Sequence, residues 1–331
     1  MSDGRILLTG STGFVGRTVL RALTATGATA DLRLLVHRAE PEPVAVPAER
    51  LRGDLAEPSS LNGMCDGVDT VLHLAGIVSD DPERCDAVNA RGTEALVALA
   101  YAAGARRFLY LSNAAVSGYA VHRQATEGDA VVRPATPVSR SRARAERAVL
   151  DAGGLVLRPL FVYGTGDTHF VPVVVRALRR APFLVSGGRA RLSLIAVDDL
   201  AAAITALVRM PATAWRPGAY HATDGVPIRF RELAEVLAQG FGLHVPARTL
   251  PYLAARMLLR ARGARLLAAR TWTASAAHRL FLVARDHSYD ATRLRELTAW
   301  APGAAFPARL PEYLPWYREY LRRTEPEHAR A

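Results

Sequence analysis

Through the first half of the chain, short unbroken apolar runs alternate with longer stretches whose apolar side chains return at helical spacing. RILLTG (5–10) predicts a strand and 14–26 a helix; LRLLV (32–36) predicts a second strand. A Pro-rich loop at 41–47 precedes RLRGDL (50–55). DTVLHLAG (69–76) predicts a fourth strand, 84–103 one long helix, and RRFLYLS (106–112) a fifth strand. A helix over 138–152 and LVLRPLFVYG (155–164) close the unit. Strands apolar at every position, rather than every second one, are buried on both faces. The alternation therefore predicts an α/β fold, a doubly wound parallel sheet with helices on both sides.

The second half reads differently. Residues 169–181 predict a helix, LSLIAV (192–197) a strand, and DDLAAAITALVRM (198–210) a helix capped by its acids. Residues 228–242 predict another amphipathic helix, and 251–285 is helical and rich in Leu, Ala and Arg. That last stretch is either an amphipathic pair with a solvated arginine face, or a lid or membrane-surface segment over a hydrophobic substrate. The tail from 324 to 331 is polar and expected to be flexible.

Composition narrows the function classes. Half of the 331 residues are hydrophobic and 22% are charged, which excludes wholesale disorder. No apolar run is long enough for an integral membrane segment, and a strand starting at Arg5 leaves no room for a signal peptide. Cys65 and Cys85 make no disulfide framework, so a reducing, cytoplasmic location is expected. There is no lysine: all 42 basic residues counted as Lys+Arg are arginine. A Schiff base, a lysine general base and a lysine-assisted tyrosine are thereby excluded. The net charge of +11 raises nucleic acid as a partner, but the arginines are scattered without an aromatic-basic reader motif, and none is expected. The nine histidines are dispersed, with no metal-ligand spacing.

Between the first strand and first helix lies Thr9-Gly10-Ser11-Thr12-Gly13-Phe14-Val15-Gly16. Gly10 permits a tight turn, Gly13 lets backbone approach a pyrophosphate, and Gly16 lets helix and strand pack closely. The free N–H groups at the start of the helix, around Thr12, Phe14 and Val15, then face the phosphates. NAD specificity normally places a carboxylate at the end of the second strand; here that strand ends Val36-His37-Arg38. Cations there suit a 2′-phosphate, so NADP(H) is expected over NAD(H). The expected division is a dinucleotide-binding domain at 1–168 plus 190–223 and a substrate domain at 169–189 plus 224–323.

The spacing T-G-x-x-G-x-x-G resembles the extended short-chain dehydrogenase/reductase superfamily. Asp54-Leu55 matches the acid that sits by the adenine, and His73-Leu74-Ala75-Gly76 matches the end of the fourth strand. Asn89 with Gly92-Thr93, Arg158-Pro159, Tyr163-Gly164, Asp198-Asp199 and Trp316-Tyr317 match further elements. Tyr289-Asp290 with Trp300-Ala301-Pro302 is similar to the 3-beta-hydroxysteroid dehydrogenase-like branch. The resemblance implies cofactor contacts from the glycine loop, His37, Arg38, Asp54, Leu55, Leu74, Ala75, Gly76, Arg142 and Pro159.

The family's chemistry uses a Ser or Thr to hold the substrate oxygen, a Tyr to move the proton, and a Lys to tune that Tyr. These positions fall on Asn113, Val138 and Arg142. Val138 can neither donate nor accept a proton, whereas Asn113 can hydrogen-bond a carbonyl and Arg142 keeps a cation by the ribose. Two readings follow. In one, a relocated group acts: Asn113, Ser112, Tyr119 and His122 lead, with Ser117, Ser139, Ser141, Tyr163, Asp167, His169, Asp80 and Asp81 behind. Such an enzyme would act on a hydrophobic or secondary-metabolite-type small molecule, by redox chemistry or by isomerisation, cyclisation or elimination. In the other, the chain is a nucleotide-binding scaffold or sensor. A small-molecule substrate is the expected partner, and a homodimer stays open.

Overall fold

The computed structural model describes residues 4–25, 31–43, 46–258 and 274–324. Its central sheet has seven strands: β1 (Arg5–Thr9), β2 (Leu32–Val36), β3 (Ala48–Arg52), β4 (Val68–His73), β5 (Arg107–Leu111), β7 (Leu155–Arg158) and β12 (Gly218–His221). The spatial order is β12-β7-β5-β4-β1-β2-β3, and every neighbouring pair is parallel. The chain reverses its direction of travel between β1 and β4, which opens a crevice at the carboxyl ends of the strands.

Burial on both faces explains the unbroken apolar runs. Ile6 and Leu8 of β1 pack on one side, with Val19, Leu20 and Leu23 of α1 (Phe14–Thr24) and Leu200, Ile204 and Leu207 of α6 (Val197–Arg209). Leu7 points to the other side, among Leu96 and Val97 of α3 (Gly92–Ala102) and Ala145 and Val149 of α4 (Pro137–Asp151). Each fully buried Leu or Ile contributes about 1.5–3 kcal/mol relative to an exposed one.

The helix expected over 84–103 is three pieces. Asp81 caps α2 (Pro82–Cys85) by accepting from the Glu83 and Arg84 amides, a π-helical turn follows over Asp86–Arg91, and α3 continues. The Gly92 amide donates to the Ala87 carbonyl, which makes room for one extra residue in the turn. The helix starting near Asp198 is corrected in a different way. Its N-cap is Ala196, with no side-chain cap, so the acids do not cap it. They serve the tertiary structure instead: Asp199 Oδ1 accepts from Arg309 at 3.0 Å, and Asp198 Oδ2 accepts from the Tyr313 hydroxyl at 2.6 Å.

The second half is less purely helical than its sequence suggests. A four-stranded sheet is ordered β13 (Ile228–Arg229), β10 (Arg191–Leu192), β15 (His287–Tyr289), β6 (His122–Ala125). Two short pairs join β8 (Phe161–Tyr163) to β11 (Leu194–Ala196) and β9 (Leu184–Val185) to β14 (Thr249–Leu250). A second core gathers α5 (Val171–Arg180), α7 (Phe230–Phe241) and the helix Phe306–Thr324 around Val175, Leu233, Leu237, Leu310 and Tyr317. Within the stretch 251–285, residues 252–258 and Ala274–Ala284 are helical, and the part between lies outside the described residues. Among the described residues no helix is long and apolar enough to cross a membrane. Cys65 and Cys85 are buried and unbridged.

Arg158 of β7 and Glu146 of α4 form a buried, two-pronged ion pair, Nη2–Oε2 at 2.5 Å and Nε–Oε1 at 3.0 Å. Removing one member strands the other charge in the interior. Glu146→Ala should therefore lower unfolding free energy by about 3–5 kcal/mol, and Glu146→Leu with Arg158→Met should recover most of that loss. Chemical denaturation of the three proteins measures both, and a loss below about 1 kcal/mol for the single variant would contradict the assignment.

Candidate functional site

The crevice is built first from the glycine loop. Gly10 sits at φ +74°, and a Cβ there would lie 2.6 Å from the Ala75 nitrogen. A Cβ on Gly16 would lie 1.9 Å from the Gly10 carbonyl oxygen. These two contacts bring β1, β4 and α1 closer than any side chain allows. Gly13 is the N-cap of α1 and offers no side-chain cap, and the first turn carries no acid. The amides of Phe14, Val15 and Gly16 are thus left for an external acceptor, which is the chemistry of a pyrophosphate cradle. Thr12 lies on the loop itself, its carbonyl taken by Arg17 Nε at 3.1 Å.

Behind the loop runs a chain of hydrogen bonds with one direction. Ala75 N–H donates to Thr9 Oγ1 at 3.1 Å, so the Thr9 hydroxyl donates onward to His73 Nδ1 at 2.7 Å. Thr93 donates to the Asn89 carbonyl at 2.6 Å, so it accepts from His73 Nε2 at 2.9 Å. Donor bookkeeping therefore assigns the proton to Nε2. Burial, with Arg142 nearby, pushes the His73 pKa down to about 3, so the ring is a neutral strut. Asn89 completes the frame. Its Oδ1 accepts from the Ile77 amide at 2.8 Å, and its Nδ2 donates to the Ile77 carbonyl and to Ser141 Oγ, both at 3.1 Å. The sequence motif marked Asn89 without revealing this clamp on the segment after β4. The extra residue of the π turn aims it there.

Arg142 reaches the same place from α4. Its Nη1 donates to the Leu111 carbonyl at 2.9 Å, and its Nη2 lies 3.2 Å from where a Gly76 Cβ would be. Val138, one turn earlier, is half-buried, and its carbonyl accepts from Ser141. Asn113 is half-buried too, but its amide is engaged with backbone: Oδ1 accepts from the Ala115 amide at 2.8 Å and Nδ2 donates to the Leu160 carbonyl at 3.1 Å. It caps a short 3-10 turn, Ala114–Ser117. Ser112 Oγ, just before that turn, and Ser117 Oγ, at its last residue, are buried without a hydrogen-bond partner among the described residues. Pro159 lies in the same segment, its carbonyl accepting from the Ala114 amide at 2.9 Å.

At the far end of the crevice, His37 is not free. Its Nε2 lies 3.0 Å from Asp54 Oδ2, and Asp54 Oδ1 accepts from the Ala56 amide. Arg38 is exposed with no carboxylate partner among the described residues, while Arg52 pairs with Glu40 at 2.6 Å. Leu55 is buried, and its carbonyl abuts Gly92. Leu74 and Ala75 follow β4 directly.

Other candidates are held elsewhere. Tyr119 is half-exposed and meets His278 and Phe281 edge-on, each at 5.1 Å. His122 is buried, 5.1 Å from Tyr289 and 6.1 Å from His287. Both face the small sheet and the helix Ala274–Ala284, because the strand that carries His122 pairs with β15. Ser139 closes a capping box with Thr136, and Tyr163 is buried edge-on against Phe306 at 4.8 Å. Asp167 is no solvated loop acid: it is buried, accepts from the His169, Phe170 and Val171 amides, and takes the Tyr317 hydroxyl at 3.0 Å. Asp81 is the cap of α2, and Asp80 precedes it. Among the described residues no cluster of three metal-ligating side chains occurs.

Burial holds three further histidines neutral, with His221 at the end of β12 pushed down to about 3 and His278 and His287 of the second unit to about 4. In the unfolded chain they titrate near ~6.5. The unfolded state therefore binds more protons between these values, and stability rises with pH there. Stability should be full above pH ~6.5 and fall as pH drops toward ~4. Denaturation midpoints at pH 7 and pH 5 check this. His287→Gln should flatten the slope, and an unchanged slope would mean that this ring titrates freely in the fold.

The chain is 29% identical over 264 residues, 76% of its length and 78% of the relative's, to a 4-hydroxy-2-methyl-3-oxo-4-farnesyl-3,4-dihydroquinoline-1-oxide ketoreductase of Stigmatella aurantiaca. It is 30% identical over 272 residues, 73% of this chain and 71% of the other, to a 3 beta-hydroxysteroid dehydrogenase/Delta 5-->4-isomerase of Mycobacterium tuberculosis. Among solved structures, RMD from Pseudomonas aeruginosa complexed with NADPH superposes with a TM-score of 0.66 at 23% identity, covering 95% of this chain and 99% of that one. Other solved neighbours of the same fold contain NAD. The family model for NAD dependent epimerase/dehydratases matches residues 6–223, from β1 through the segment after β12. By that match the chain belongs to the NAD dependent epimerase/dehydratase family.

Proposed function

We propose that the protein binds NADP(H) in the crevice and acts as a reductase-type enzyme on a hydrophobic small molecule, with no side-chain acid at the usual phenol position. The observation that carries this reading is the pairing of a complete cofactor frame with Val138. The glycine loop, the His73 strut, the Asn89 clamp and Arg142 are all in place, while the position facing them on α4 is aliphatic. The uncapped start of α1, with no side-chain cap and no acid in its first turn, supports a ligand-binding role. The relatives named as a farnesyl-quinoline ketoreductase and a hydroxysteroid dehydrogenase support the apolar substrate class.

A nicotinamide cofactor, when bound, supplies or takes a hydride. The chain's own part is to position and to exclude water. The amides at the start of α1 would hold the pyrophosphate, Arg142 would keep its guanidinium at the Leu111 edge, and Gly76 would leave room for the ribose. Arg38 supplies the charge for a 2′-phosphate, with His37 already committed to Asp54. Asn113 orders the 3-10 turn rather than gripping a substrate oxygen, which leaves the buried hydroxyls of Ser112 and Ser117 as the polar groups to test there. Tyr119 meets His278 and Phe281, His122 meets Tyr289 and His287, and neither is assigned a step.

The same geometry favours a second reading, binding without turnover, because neither Val138 nor the engaged amide of Asn113 can move a proton. Calorimetric titration with NADPH and NADH separates what can be separated first. NADPH should bind, and Arg38→Ala should weaken it about tenfold (about 1.4 kcal/mol) while leaving NADH unchanged. Gly13→Val should abolish both with little change in thermal stability. Absence of binding by either nucleotide would overturn the cofactor assignment. With binding established, NADPH consumption across ketone substrates distinguishes reductase from scaffold, and Ser112→Ala should slow a reductase while Tyr119→Phe should not.

A further inference from the structure

The acids of this chain are unevenly placed. Between Asp167 and Asp198 the sequence has five arginines and no acid, and between Glu235 and Asp286 it has eight arginines and no acid. The fold sets described parts of these two stretches side by side. β9 of the first pairs in parallel with β14 of the second. The helix over 252–258, just after β14, then faces the carboxyl end of α5 across a cavity of about 340 Å³. Ala181, Pro182, Phe183, Ala255 and Leu258 line that cavity together with Arg180, and among the described residues no carboxylate does.

Helix 252–258 has two unlike faces. Tyr252 and Ala255 are buried, Tyr252 in a cluster with Phe281 and Ala284. Leu253 and Met257, one turn apart, stand on the other face and are 65% and 70% exposed. Tyr119, half-exposed, meets the same Phe281 and extends the apolar area. Arg180, Arg189, Arg256 and Arg285 are exposed on the same two stretches, with Arg285 lying over the Tyr252 ring at 5.0 Å. An apolar row left in water and flanked by cations marks a contact surface.

The charge calls for an anionic partner, and the protruding aliphatic side chains call for an apolar one. Nucleic acid meets only the first condition. A bilayer surface with acidic headgroups meets both, because guanidinium groups rest at the level of the phosphates while Leu and Met side chains enter the acyl boundary. The long arginine stem keeps its charge among the headgroups and lays its methylenes on apolar surface.

We propose that the face formed by helix 252–258 and the end of α5 docks the protein peripherally on a lipid surface rich in acidic phospholipid headgroups. This face shares no residue with the glycine loop, the His73 chain or Arg142, so it stands or falls apart from the cofactor reading.

Vesicle flotation of the full chain tests it, with phosphatidylcholine alone and with phosphatidylcholine mixed with an equal part of phosphatidylglycerol. The protein should float with the mixed vesicles and not with phosphatidylcholine alone, and raised salt should weaken the binding. Leu253→Ser with Met257→Ser, and separately Arg180→Gln with Arg256→Gln, should each weaken it about tenfold or more with thermal stability unchanged. Absence of flotation with the acidic vesicles, or equal flotation with both kinds, would overturn the proposal. So would a loss confined to the arginine variant, since the surface would then fit any polyanion, an acidic protein or nucleic acid included. A dimer in solution that the Leu253→Ser, Met257→Ser variant dissolves, with no vesicle binding by either protein, would overturn it too and assign the face to a second copy of this chain.

Discussion

The buried chain from Ala75 through Thr9, His73 and Thr93 to Asn89 is the constraint on which the crevice depends. It ties the ends of β1 and β4 to the helix that follows, at the point where the sheet reverses its winding. Every donor in it has one acceptor, so no member can rotate without leaving a polar group unpaired in the interior. The close approach of Gly10 to Ala75 is possible because this chain holds the two strand ends in register. The Asn89 clamp then transmits that register to the segment after β4 and, through Ser141, to α4.

Much of this was legible in the sequence, for physical reasons. Strands buried on both faces must be apolar throughout, so β1, β2, β4 and β5 stand out without any neighbour. The glycine loop is legible because only glycine fits where Gly10 and Gly16 sit. The resemblance to the extended short-chain dehydrogenases located Arg142 and Val138 on α4. What the sequence hid are interactions that depend on distant partners. Asp198 and Asp199 look like helix caps until Arg309 and Tyr313 arrive from the end of the chain. Asn113 looks like a substrate ligand until the Leu160 carbonyl is placed beside it. The small sheet around His122 is made of two- to four-residue strands, too short for any periodicity to register.

The two halves use polar groups in opposite ways. In the first, the His73 chain and the Arg158–Glu146 pair are paired and directional. Around the small sheet, histidines and aromatic rings pack mainly by contact, with His221 of β12 stacked 4.4 Å from Tyr289 and Phe281 5.1 Å from His287. The first arrangement fixes geometry, and the second fills volume with groups that acid can charge.

The tether of Arg142 to the Leu111 carbonyl fixes a planar, forked donor where a lysine would place a single ammonium. One edge of the fork is spent on the strand end, so the other edge, Nη2, is held beside Gly76 in a set orientation, and the cation on α4 presents a direction as well as a charge.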